Sequence, residues 1–216
     1  DKAVGTAYLA MDLVEGKPFL EALKGRRIVE IAAAMAELLD VLSHLHRAGV
    51  VHRDISSANV LVEISETIGI RPAVFLVDLG LAQSMTAGKQ PAAGKINYLA
   101  PELIQGSPAS ARTDLYAVGV LGYLALAGRL PWPDSLLADD TGDSEPLKLS
   151  QVLPEIDRGL EQILSKLVRR DPGQRCDDAA SARDELLNCA LLRRAAWFKA
   201  RSVESPLVGR QSELDT

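Results

Sequence analysis

Cysteine is scarce in this chain, and positive charge is in deficit. The 216 residues include two cysteines, Cys176 and Cys189, which form neither a disulfide framework nor the paired spacing of a zinc site. They read as reduced, partly buried thiols, so a cytoplasmic protein is expected. Lys and Arg number 24 against 29 Asp and Glu, giving a net charge of -5. That balance excludes nucleic-acid binding as the main business of the chain, because phosphate backbones require a basic stripe. No run reaches the roughly 20 apolar residues of a membrane span. The longest, Leu115 to Ala127, is interrupted by glycines and reads as a buried helix. No charged stretch precedes an apolar core at the N-terminus, so no signal peptide is predicted. Instead, Tyr8 to Val14 reads as a strand with nothing before it, which predicts a fragment of a longer chain.

What remains is the composition of an ordinary globular protein. At 47% apolar and 25% charged residues, the chain can build one sizeable core. Glu15 to Pro18 has turn chemistry, and Phe19 to Lys24 predicts a short helix. Ile28, Ile31, Met35, Leu38, Leu39, Leu42 and Leu45 recur at helical spacing, with Gly49 as the stop. Val50 and Val51 lead into a loop. Val60 to Ile64 and Val74 to Val77 read as strands that can pair as a hairpin. Asp78 to Gln105 has no sustained period, and long irregular stretches inside compact domains are commonly functional. Thr113 to Ala127 predicts a central helix. Pro131 to Pro154 is loop-rich and acidic. Ile156 to Leu167 is amphipathic, and a last helix starts near Asp178, with a possible break.

Two short clusters carry chemistry. His52-Arg53-Asp54-Ile55-Ser56-Ser57-Ala58-Asn59 lies between a helix and a strand. Its carboxylate can accept the proton of an attacking hydroxyl, and its carboxamide oxygen can ligate a hard divalent cation. The same residues also suit a turn in which Asp and Asn bond the backbone. Asp78-Leu79-Gly80 puts a carboxylate at a strand end, where it can hold Mg²⁺, or can simply turn the chain.

In order along the chain, these clusters resemble the signature set of the protein kinases. His52-Arg53-Asp54 with Asn59 is similar to H-R-D-x-x-x-x-N, Asp78-Leu79-Gly80 to D-F-G, and Ala100-Pro101-Glu102 to A-P-E. Leu45 to Val51 resembles the approach to the catalytic loop. Thr113 to Gly119, Gly128 to Trp132, and Asp171 to Arg175 resemble later landmarks of the family. The fold implied is α+β and mainly α-helical. It is a kinase-like large (C-terminal) lobe with a small β-hairpin sheet beside the catalytic loop and the small lobe missing. Residues 1–190 would be the kinase domain. Residues 191–216 would be a helix and linker.

The resemblance implies a serine/threonine kinase that uses ATP and Mg²⁺ on protein substrates in signal transduction. Asp54 would be the catalytic base, and Asn59 and Asp78 the metal ligands. Met11 would be the gatekeeper, the backbone of Asp12 and Val14 would face adenine, and Leu61 would floor the adenine pocket. Glu102 with Arg175 would be a buried ion pair. Asp114 would tie the catalytic loop to the central helix, and His52, His44 and His46 would be structural. Arg53 beside Asp54 suggests regulation by a phosphorylated loop, with Ser84 and Thr86 as acceptors. Two positions depart from the family. Ser56 stands where serine/threonine kinases usually have Lys, and Lys95 stands where they usually have Thr. The family fold places these positions side by side, so an exchange is expected, with Lys95 supplying the catalytic ammonium.

No glycine-rich loop or strand lysine is found ahead of Met11, so the fragment by itself is expected to be weakly active or inactive. Pro206 to Leu214 resembles the L-V-G-R-x-x-E-L that opens many AAA-type NTPase modules, which would then follow as a covalently linked partner. Two other readings remain open: a pseudokinase-like scaffold and a small-molecule phosphotransferase. Intact Asp54, Asn59 and Asp78 weigh against the first. Ala100 to Glu102 and Asp171 to Arg175 weigh against the second.

Overall fold

The computed structural model describes residues 13–65, 71–79, 82–84, 95–132 and 145–193. Its centre is α2 (Ile28–Arg47), packed against α4 (Ala111–Ala127) and α6 (Ala179–Leu187). The apolar spacing of α2 buries Met35, Leu38, Leu39 and Leu42 completely, and truncating such a side chain costs about 2–5 kcal/mol. The helix starts where Glu30 Oε2 accepts the Arg27 backbone N–H at 3.0 Å. It stops at Gly49, whose φ of 76° takes the left-handed turn that side chains resist.

α4 is buried without a break from Thr113 to Tyr123, as an apolar helix at a domain centre must be. α5 (Arg158–Leu167) packs against it and is capped by Asp157 Oδ1, which accepts the N–H of Gly159 at 2.8 Å and of Leu160 at 3.1 Å. The last helical segment breaks as expected, into α6 and the short α7 (Ala190–Arg193). Two further short helices, α1 (Phe19–Ala22) and α3 (Pro101–Ile104), flank the site. No helix among the described residues is long and apolar enough to cross a membrane.

The expected hairpin is present. β3 (Val60–Glu63) pairs antiparallel with β4 (Ala73–Leu76), in a register that sets Val60 opposite Leu76. β1 (Lys17–Pro18) adds on the other side of β3, so Lys17 and Pro18 are strand and not the turn their chemistry suggested. Pro18 is tolerated because β1 is an edge strand that can spare an N–H. Leu13 and Val14 are irregular, and the rest of the strand expected over Tyr8 to Val14 lies outside the described residues. Val50 and Val51 also differ from expectation: as β2 they pair with β5 (Gln83–Ser84). Neither segment is long enough to show a period of two, so pairing across 30-odd residues leaves no local signal.

Candidate active site

The catalytic-loop candidate runs from β2 to β3 and is held from below by Asp114 on α4. This carboxylate is 1% exposed. Its Oδ2 accepts the His52 backbone N–H at 2.9 Å and His46 Nε2–H at 2.8 Å, and its Oδ1 accepts the Arg53 backbone N–H at 2.9 Å. Arg53 sits at φ 70°, a left-handed conformation that costs a residue with a Cβ roughly 1–2 kcal/mol. The Asp114 contacts hold it there. His44 and His46 thus serve structure, as expected: His44 Nδ1–H donates to its own helix at the Asp40 carbonyl, 2.8 Å away.

His52 is fully buried. Burial pushes its imidazole pKa down against the pull of the Asp114, Asp54 and Asp78 carboxylates. The neutral ring has a definite tautomer. Nε2–H donates to the Val77 carbonyl at 3.3 Å, and Nδ1 accepts the Asp54 backbone N–H at 3.3 Å.

Asp54 and Asn59 are locked together. Asn59 Nδ2 donates to both the carbonyl and Oδ2 of Asp54, each at 2.8 Å. The second carboxylate oxygen, Asp54 Oδ1, is buried with no partner among the described residues. With its nitrogen committed to Asp54, the Asn59 side chain turns its oxygen elsewhere. The Asn59 carbonyl accepts the Val77 N–H at 2.9 Å, which brings Asp78 alongside. Asp78 is exposed and takes φ 62°, a backbone conformation that turns the chain sharply off β4. Asn59 and Asp78 supply hard oxygen donors that suit Mg²⁺. No cluster of three or more His, Cys, Asp or Glu side chains able to hold a metal occurs among the described residues.

Arg53, Asp54 and Lys95 line a shallow cleft, walled by Tyr98, Leu99 and Leu103. Lys95 Nζ donates to Ser56 Oγ at 2.9 Å, so the two departing positions do lie side by side. Glu102, at the start of α3, meets Arg175 in a bidentate pair with both contacts at 2.8 Å. Leu61 lies on β3 between Pro18 and Phe75. Val14 is partly buried just before β1. Met11, Asp12, Gly80 and Thr86 lie outside the described residues, as does Pro206 to Leu214. Sequence reasoning missed the seat that Ser57 provides for α1, accepting the Phe19 N–H at its carbonyl (3.0 Å) and the Leu20 N–H at its hydroxyl (2.9 Å).

This ordering of loop carboxylate, carboxamide, strand-end carboxylate and buried ion pair agrees with a match to the protein kinase domain over residues 3–187. The chain belongs to the protein kinase family. Among its relatives, the probable serine/threonine-protein kinase of Bifidobacterium longum is 32% identical over 197 residues, covering 86% of this chain and 25% of that protein. A serine/threonine-protein kinase of Myxococcus xanthus is 32% identical over 189 residues, 83% of this chain and 27% of its own. One from Mycobacterium tuberculosis is 34% identical over 182 residues, 80% of this chain and 44% of its own. The kinase domain described here therefore spans a quarter to under half of the length of these relatives.

Proposed function

We propose that this kinase domain transfers the γ-phosphoryl group of ATP, with Mg²⁺, to serine or threonine hydroxyls of protein substrates. The observation that carries the reading is the division of labour within one carboxylate. Asp54 Oδ2 is fixed by Asn59, while Oδ1 is buried and unpartnered, ready to accept a proton from a substrate hydroxyl. Bound Mg²⁺ would neutralise charge on the phosphates. Asn59 and Asp78 would hold it through oxygen, and the Asn59–Val77 bond keeps the two within one rigid corner. Met11 would gate the adenine pocket, with the backbone of Asp12 and Val14 at its edge and Leu61 as its floor. The names of the relatives support serine and threonine as acceptors. In this reading residues 1–190 are the kinase domain and 191–216 a connecting helix and linker.

The full-length protein should be incubated with labelled ATP, Mg²⁺ and a generic basic protein, with an aminoglycoside in parallel. Phosphoserine or phosphothreonine on the protein is expected. Asp54→Asn should lower the rate by about 100-fold or more, the usual contribution of a positioned base. Label on the aminoglycoside instead would make the domain a small-molecule phosphotransferase. Transfer to neither would leave a scaffold.

A further inference from the structure

Lys95 is a cation held by a neutral side chain. Its Nζ lies 2.9 Å from Ser56 Oγ, and Ser56 is fully buried in the catalytic loop between Asp54 and Asn59. The seat is rigid: the Ser56 carbonyl accepts the N–H of Asn59 and of Val60, each at 3.1 Å. An ammonium has three N–H donors, and here a neutral hydroxyl takes one of them. No carboxylate pairs with Lys95 among the described residues. Of the acids lining the same cleft, Asp114 is engaged with α2 and the catalytic-loop backbone, and Asp54 has its Oδ2 on Asn59 and its Oδ1 unpartnered, neither oxygen being bonded to Lys95. The remaining ammonium donors are left for an anion entering beside the carboxylate. The backbone carrying Lys95 is braced as well. Its carbonyl accepts the Tyr98 N–H at 2.9 Å, and the turn leads into α3, which Glu102 pins to Arg175. A surface lysine kept only for solubility would have no reason to rest on a buried hydroxyl in this cleft.

We propose that Lys95 is the phosphate-facing cation of the transfer site and that Ser56 is its positioning residue. This rests on the kinase reading. Charge builds on the oxygens of the phosphoryl group in flight, and a preorganised ammonium aimed there stabilises the transition state more than the bound nucleotide. The cation therefore reaches the site from the segment ahead of α3 and not from the catalytic loop that carries the base.

The test uses the full-length protein and begins with an ATP analogue whose terminal phosphate carries an acyl group. A lysine amine close to the phosphates attacks the acyl carbon, an amide forms, and the nucleotide phosphate leaves. Peptide mapping should find the acyl group on Lys95, and excess ATP should block it. Lys95→Ala should then lower kcat about 100-fold with ATP affinity nearly unchanged, in line with the loss of one preorganised donor. The exchange Ser56→Lys with Lys95→Ser should recover much of that loss, a recovery that a merely structural lysine could not give. Unlabelled Lys95, or a Lys95→Ala variant with parental kcat, overturns the proposal while leaving the kinase reading intact. Absence of protein phosphorylation by the parent would instead remove the kinase reading itself.

Discussion

Asp114 Oδ1 receives the backbone N–H of Arg53 at 2.9 Å, and Arg53 is held at φ 70°. A central-helix carboxylate thus fixes a left-handed residue directly before Asp54, the proposed base. Hydrogen bonds to a charged acceptor are worth about 1.5–3 kcal/mol, enough to offset the backbone cost. Asp114→Asn keeps the shape but must give up one of these acceptors. Amide hydrogen exchange at His52 and Arg53 should then accelerate far more than exchange in the α2 core. Unchanged protection at both amides would mean that the loop is held by something else.

Arg175 is a second anchor, and it is fully committed. Beyond the two bonds to Glu102, it donates to the carbonyls of Arg112 (2.8 Å), Arg169 (2.7 Å) and Arg170 (3.2 Å), so each guanidinium N–H has an acceptor. Its side chain is fully buried and that of Glu102 is 9% exposed. Removing one partner strands the other charge, at a cost of about 3–5 kcal/mol. Glu102→Ala should lower the unfolding free energy by about that amount, read as a fall in the denaturant midpoint. Arg175→Lys should also be destabilising, because an ammonium cannot reach the same set of acceptors. A Lys variant of parental stability would contradict this.

α4 uses two glycines to let its neighbours approach, and they should not respond alike. A Cβ at Gly119 would lie 2.6 Å from Val168 Cγ1 and 2.9 Å from Leu167 Cβ, atoms close to the backbone at the C-terminal end of α5. At Gly122 it would meet Leu164 Cδ2 at 2.6 Å and Met35 Cε at 2.7 Å, the far ends of flexible side chains. Alanine gains about 1 kcal/mol in a helix interior, while overpacking costs about 1–3 kcal/mol. Gly119→Ala should therefore be clearly destabilising and Gly122→Ala close to neutral by urea unfolding. The reverse order would show that Met35 and Leu164 cannot yield.

The elements with a long apolar period, α2, α4 and α5, were legible because burial imposes that period on the sequence. The hairpin was legible from its β-branched runs. β1, β2 and β5 were not, since each is two residues long and depends on a distant partner. At the site, Asp54, Asn59 and Asp78 stood out by residue type and position, while the Glu102–Arg175 pair and the nearness of Lys95 to Ser56 followed from the resemblance. The left-handed backbones of Arg53 and Asp78 did not show, because neither residue is glycine. Tertiary hydrogen bonds impose those conformations, and residue type gives no sign of them.

His52 gives the structure a pH dependence whose sign can be worked out. Burial holds its imidazole pKa below the usual 6.5, so as pH falls through that value the unfolded chain takes up a proton that the folded chain refuses. The contribution of the neutral ring is fully present above the usual value and is lost as pH falls toward the lower folded one. Carboxylates titrate mainly below about pH 5, so a comparison at about pH 7.5 and 5.5 looks chiefly at histidines. His44 and His46 are common to parent and variant, and subtraction removes them. His52→Phe should be less stable at both values, having lost the bonds to the Val77 carbonyl and the Asp54 N–H. Its urea midpoint should nevertheless fall less between the two pH values than that of the parent. Equal falls would show that His52 takes up its proton without opening the catalytic loop.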